Sequence, residues 1–195
     1  MSLEPLIALL DGALSPLGFA RRRATWNRSV GAHTEVIDVQ PSKAGDRVTM
    51  NVGALERGVY ATCWGHDPAP FVEEPECIVR ARIGQLLDNR DRWWEIDDAH
   101  AQAELVQCLY EQALPFLTSM RSLERMRDRL RAQGAPSPRV PLLSIGYAVL
   151  VARLGDPTIA CSVLAELEAS ALGAWKGRAK EVSGRIGCRE QPARC

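Results

Sequence analysis

No stretch of this sequence approaches the roughly 18 consecutive apolar residues that a membrane-crossing helix needs, so no membrane association is expected. The opening Met1-Ser2-Leu3-Glu4-Pro5 carries no basic segment ahead of an apolar one. A secretory leader is therefore not expected, and the expected location is the cytoplasm, a reducing compartment. A Gly-x-Ser-x-Gly elbow, a phosphate-cradling Walker loop and a dinucleotide fingerprint are also missing. Their absence removes the standard acyl-transfer and nucleotide machinery, and no cofactor is expected. Net charge is missing too: 24 Lys+Arg are matched by 24 Asp+Glu. The whole molecule has no field to concentrate nucleic acid, which argues against a dedicated nucleic-acid binder.

What is present has the balance of a globular protein, with 46% hydrophobic and 25% charged residues over a length of 195. Such a chain buries a sufficient core without covalent staples. The cancelled charge hides an asymmetry: residues 1–120 hold 11 basic against 17 acidic groups, and residues 121–195 hold 13 against 7. Six cysteines are an even number, but the chain is too long to need a disulfide framework. Cys108 and Cys161 fall in apolar helical patterns and read as small core residues. Cys188 and Cys195 sit in a polar tail and read as free thiols.

Along the chain, Leu3, Leu6, Ile7, Leu10 and Leu14 recur at helical spacing, with Pro5 in the first turn and Gly18 past the end. Phe19 to Arg28 alternates as a strand does, with Arg22 the exception. Thr34 to Gln40 and Arg47 to Ala54 follow after short turns, and Val59 to Trp64 offers a further strand. Residues 77–87 fit strand or helix equally. Arg92 to Ile96 reads as a short edge strand, and a helix starts at Asp98, with Pro115 bending or ending it. A charged helix over Ser122 to Gln133 is closed by Gly134, and a helical hairpin over Leu142–Leu154 and Thr158–Leu172 is split by Gly155-Asp156-Pro157. The expected fold is α+β: an N-terminal helix, an antiparallel meander of about four to five strands, and a helical C-terminal part packing on the sheet. The expected organisation is an α+β domain over 1–134, a helical hairpin over 135–182 and a disordered tail over 183–195.

Leu17-Gly18-Phe19, the Arg-rich strand leading to Trp26, Val39-Gln40-Pro41-Ser42 and Asn51-Val52-Gly53 form an ordered set, continued by Arg80-Ala81-Arg82-Ile83-Gly84 and Asp91-Arg92-Trp93-Trp94. As a set they resemble a family of uncharacterised bacterial proteins known as domain of unknown function 4304, over roughly residues 3–130. The resemblance implies an α+β domain and supplies no catalytic residues. Pro41 departs from the more strand-like residue expected there, which would shorten its strand.

Strand alternation yields the best candidate site. If Ile37 and Val39 face the core, Asp38 and Gln40 point away from it, and Thr49 and Asn51 on the next strand share that outer face, with Arg21 or Arg23 beside them. Amides offer donors and acceptors, and an arginine adds a charge-assisted bond, so this row suits a polar ligand or a partner's backbone. An ordinary solvated sheet face has the same pattern, which half-exposed antiparallel sheets usually show. Adjacent Trp93 and Trp94 point to opposite faces of a strand, which leaves one for the core and the other for packing the later helices or for a partner.

The other clusters carry weaker signals. Cys63, His66 and Cys77 contain one Cys-x-x-His step but lack the four-ligand pattern of structural zinc, so no metal is expected. Glu73, Glu74, Glu76, Asp97 and Asp98 lie in a proline loop and at a helix start, where carboxylates serve as solvated groups and caps. Arg121, Arg125, Arg127, Arg129 and Arg131 share a helix with acidic neighbours and no base-stacking aromatics, the pattern of a solvated, ion-paired helix. The functional expectation is a soluble, non-catalytic protein-interaction module, in an accessory or toxin-neutralising role. The alternative is a small-molecule enzyme with a polar site between sheet and helices.

Overall fold

The computed structural model describes residues 2–188, and Cys195 lies outside them. The chain has an α+β fold and forms two compact units, Met1–Leu55 with Ala69–Met120, and Glu56–Pro68 with Arg121–Cys195.

The first unit opens with α1 (Glu4–Leu14), whose Leu6, Ile7, Leu10 and Leu14 are buried as their spacing predicts. A six-stranded antiparallel sheet follows, built from β1 (Ala20–Arg22), β2 (Thr25–Val30), β3 (His33–Pro41), β4 (Arg47–Glu56), β5 (Val79–Arg82) and β6 (Trp94–Glu95). The strands run in the order β1-β2-β3-β4-β5, and β6 also pairs with β4. Trp26 sits opposite Ile37, Val52 opposite Ala81 and Val48 opposite Trp94, so one face of the sheet is apolar and buried. Trp26 anchors this face: it is fully buried, and its Nε1 donates to Asp11 Oδ1 of α1 at 2.8 Å.

Several strand expectations change. The segment Phe19–Arg28 is a hairpin of two strands, because Arg23 adopts a left-handed conformation (φ 54°) that reverses the chain between Arg22 and Thr25. Pro41 closes β3 without truncating it, since a strand's last residue can forgo its amide donor. Val59–Trp64 is helical, within α2 (Arg57–Trp64), where Glu56 Oε2 caps the Val59 amide at 2.6 Å. Residues 77–87 contain both alternatives in turn, β5 and then α3 (Ile83–Leu87).

The helical end of this unit is α4 (Ala99–Cys108), one wide π-type turn over Leu109–Ala113, and α5 (Leu114–Ser119). The wide turn precedes Pro115, whose missing amide falls in the first turn of α5, so helical structure continues past the proline. Leu105, Leu109, Ala113 and Leu117 stay buried through the bend, while Tyr110 is exposed.

The second unit contains α2, α6 (Leu123–Ala132), α7 (Pro141–Arg153), α8 (Pro157–Ser170) and α9 (Ala174–Arg185). Ser122 caps α6 and Asp156 caps α8 through Ile159 N at 3.1 Å, as their positions before apolar-periodic runs predict. α7 is buried almost all round, from Ser144 through Val151. Two thiol expectations fail here: Cys161 and Cys188 form a disulfide, with Cα atoms 5.4 Å apart. Residues 183–185 belong to α9 and are not tail, because Val182 and Ser183 are buried; the rest of the expected tail, 189–195, lies outside the described residues.

Candidate functional site

The sheet face opposite Trp26 is divided. One part is covered by the segment leading into β5: Asn27 exchanges two hydrogen bonds with the backbone of Val72, at 2.7 and 2.9 Å. Cys77 packs so closely on Gly53 that a side chain at 53 would overlap its sulfur. The other part carries a network of polar side chains from β3, β4 and β5.

Asn51 is its centre. Its Nδ2 donates to Gln40 Oε1 at 3.0 Å and to Asp38 Oδ2 at 3.4 Å, while Thr25 Oγ1 donates to the other Asp38 oxygen at 2.8 Å. Antiparallel pairing places Arg82 directly opposite Asn51, so both project from the same face. Arg82 Nε donates to Asn51 Oδ1 at 3.4 Å, its Nη2 to Gln40 Oε1 at 3.3 Å and its Nη1 to Asp91 Oδ1 at 2.5 Å. Asp91 in turn accepts from Trp93 Nε1 at 3.1 Å, and the Arg82 guanidinium lies 5.3 Å from the Trp93 ring centre.

The electrostatics follow from these contacts. The hydrogen bond from Arg82, then that from Trp93, holds the Asp91 carboxyl below its usual range. Nearby, Arg80 forms a two-pronged pair with Glu74, both bonds 2.7 Å, which raises the Arg80 pKa further above its ordinary value. Gln40 stays exposed, and its amide nitrogen makes no hydrogen bond among the described residues.

Asp38, Gln40, Asn51, Arg82, Asp91 and Trp93 all fall within residues 10–118, the span over which the chain matches the family described as Domain of unknown function (DUF4304). The chain belongs to that family. The DUF4304 match covers most of the first unit and ends within α5, so α6 to α9 lie beyond it. No curated protein and no solved structure matches the chain.

Within the DUF4304 segment, the structure brings together Asp38, Gln40, Asn51 and Trp93 but not the remaining residues of the expected row. Arg21 pairs with Trp26 across the hairpin and so lies on the opposite face, 3.3 Å from Asp11. Arg23 sits in the tight turn, where its carbonyl accepts from Arg21 Nη1 at 2.9 Å. Both misplacements come from reading β1 and β2 as one strand. Thr49 is fully buried and its Oγ1 has no hydrogen-bond partner among the described residues, so it offers nothing at the surface. Trp94 is the buried member of its pair, opposite Val48, and Trp93 is half-exposed.

Sequence reasoning missed Arg82 and Asp91. The signal was the alternation Val79-Arg80-Ala81-Arg82, which as a strand puts both arginines on the polar face.

The other clusters serve structure. Cys63 is buried, which pushes its thiol up to about 12, and burial likewise raises Cys77 well above the ordinary thiol value. His66 Nδ1 lies 2.9 Å from the carbonyl of Asp67. No group of three or more His, Cys, Asp or Glu side chains among the described residues is placed to hold a metal ion. Glu76 accepts the Glu73 amide at 2.8 Å, and Asp98 caps α4 through His100 N. Asp46, Glu95, Asp97 and Asp98 line an open cavity of about 320 Å³. On α6, Arg127 pairs with its sequence neighbour Asp128 at 2.7 Å.

Proposed function

We propose that the chain is a non-catalytic protein-interaction module whose contact surface is the polar sheet face of Asp38, Gln40, Asn51 and Arg82, together with Trp93. The observation that carries this reading is the Arg82–Trp93 pair beside the exposed Gln40 amide. An indole braced by a guanidinium is the kind of anchor that concentrates binding energy at protein interfaces, and Gln40 adds a free donor for a partner's carbonyl.

The direction of the Asp91 shift favours a module over an enzyme. General acid–base work near neutral pH calls for a carboxyl shifted upward, and Arg82 and Trp93 hold Asp91 in the opposite direction. Both Asp38 oxygens already accept hydrogen bonds from Thr25 and Asn51. The chain has no helix among the described residues long and apolar enough to cross a membrane. The reading extends to a soluble accessory or toxin-neutralising protein of the bacterial cytoplasm, a role that fits a chain of this size whose sequence carries no standard catalytic signature.

The test compares the tagged full chain with a Gln40→Ala/Trp93→Ala variant in pull-downs from lysate of the source organism. A stoichiometric protein retained by the wild type and lost by the folded variant supports the reading. Retention by both sinks this surface. A clean lane for both sinks the module and directs attention to small polar ligands.

A further inference from the structure

We propose that the Cys161–Cys188 disulfide is a thiol-responsive clasp that keeps α9 seated on α2 and α8 within the second unit. This inference is independent of the polar sheet face. Cys161 lies on α8 and Cys188 in the turn just beyond α9, so the bond closes a loop of 27 residues around the whole of α9. Both residues are half-exposed and within reach of a small thiol, whereas Cys63, Cys77 and Cys108 are buried.

α9 needs such a tether. It buries only Ala179, Val182 and Ser183, and it carries Gly177 and Gly184, which weaken a helix of 12 residues. It lies along α8 and against α7, and its side chains add polar attachments. Ser183 Oγ donates to Glu168 Oε1 of α8 at 2.7 Å. Arg178 Nη1 reaches the Trp64 carbonyl at 3.2 Å with its guanidinium 5.0 Å from that ring's centre, and Arg185 Nη1 reaches the carbonyls of Thr62 and Cys63 at 3.0 and 3.3 Å. Glu181 holds both arginines, at 3.0 and 3.3 Å. These carbonyls belong to the last turn of α2, where a helix has no partners of its own for them. α9 therefore caps α2, and the disulfide holds the cap in place.

Opening the clasp takes two electrons and two protons. Two glutathione molecules, or one dithiol, cleave the sulfur–sulfur bond through a mixed disulfide, leaving two cysteine thiols and the oxidised reductant. With the loop opened, α9 detaches from α2 and exposes Trp64 and the α2 carbonyls. The cavity of about 420 Å³ lined by Thr62, Gly65, His66, Asp67 and Arg185 loses its arginine wall.

The experiment uses the full chain equilibrated with glutathione disulfide, then measured with and without dithiothreitol. Peptide mapping after alkylation should find Cys161 joined to Cys188 before reduction. Amide hydrogen exchange over 174–188 and 57–65 should quicken at least about tenfold on reduction, with β3 and β4 unchanged. Cys188→Ser should exchange like the reduced wild type and ignore the reductant. Failure of the bond to form, unchanged exchange on reduction, or an equal rise across β3 and β4 would each overturn the clasp.

Discussion

Gly84 lies against Arg90 so closely that a methyl group at Gly84 would overlap the Arg90 carbonyl oxygen, and the Arg90 amide donates back to the Gly84 carbonyl at 3.2 Å. This contact folds the loop after α3 back onto the helix's first turn, beside the end of β5, where Asp91 and Trp93 meet Arg82. Because the clash is with backbone, a side-chain rotation cannot relieve it. Gly84→Ala should therefore lower stability by about 1–3 kcal/mol and shift Trp93 fluorescence, as read by urea denaturation. Gly12→Ala, on an exposed helical turn with open space around it, should instead stabilise by about 0.5–1 kcal/mol.

Arg82 joins the β3–β4 amides to the Asp91–Trp93 loop, bonding to Asn51, Gln40 and Asp91. Arg82→Met keeps much of the stem's packing while removing the charge-assisted bonds. The expected loss is about 1 kcal/mol, small because the site is partly exposed, together with a change in Trp93 emission. Unchanged emission would mean that Trp93 is held by other contacts.

Asp91 gives a signed pH prediction. Its folded pKa lies below the ordinary aspartate value of 3.8, so its contribution to stability is present above that value and fades as pH falls through the lower folded one. Carboxyl-resolved NMR titration should place the Asp91 midpoint below 3.8 in the wild type and return it toward 3.8 in Arg82→Met.

The Cys161–Cys188 bond restricts the unfolded chain across 27 residues. By loop-closure entropy, Cys161→Ser should cost about 2–4 kcal/mol in denaturation of the second unit, and dithiothreitol should lower wild-type stability comparably while leaving the variant unaffected.

Much of this architecture is legible in the sequence. Leucine spacing marked α1, alternation marked β3 and β4, and Gly155-Asp156-Pro157 marked the break between α7 and α8. The pairing of Asp38, Gln40 and Asn51 on one face followed from a period of two alone. What escaped depended on contacts distant in sequence or on one unusual dihedral. Arg23 turns left-handed without being glycine, which moved Arg21 to the wrong face. Val59–Trp64 is rich in residues that suit strands, yet the Glu56 cap and its 3.3 Å ion pair with Arg153 of α7 support a helix. Arg82 reaches the network through the pairing of β5 with β4, which sequence spacing does not specify, and no spacing rule links Cys161 to Cys188.

The proposed contact surface stands or falls with Trp93 and Gln40. Calorimetric titration of the captured partner against wild type and the Gln40→Ala/Trp93→Ala variant measures this most directly. Affinity should fall by about thirtyfold or more, the effect of removing a hot-spot aromatic, with both proteins equally folded. Equal affinity for the two would contradict it.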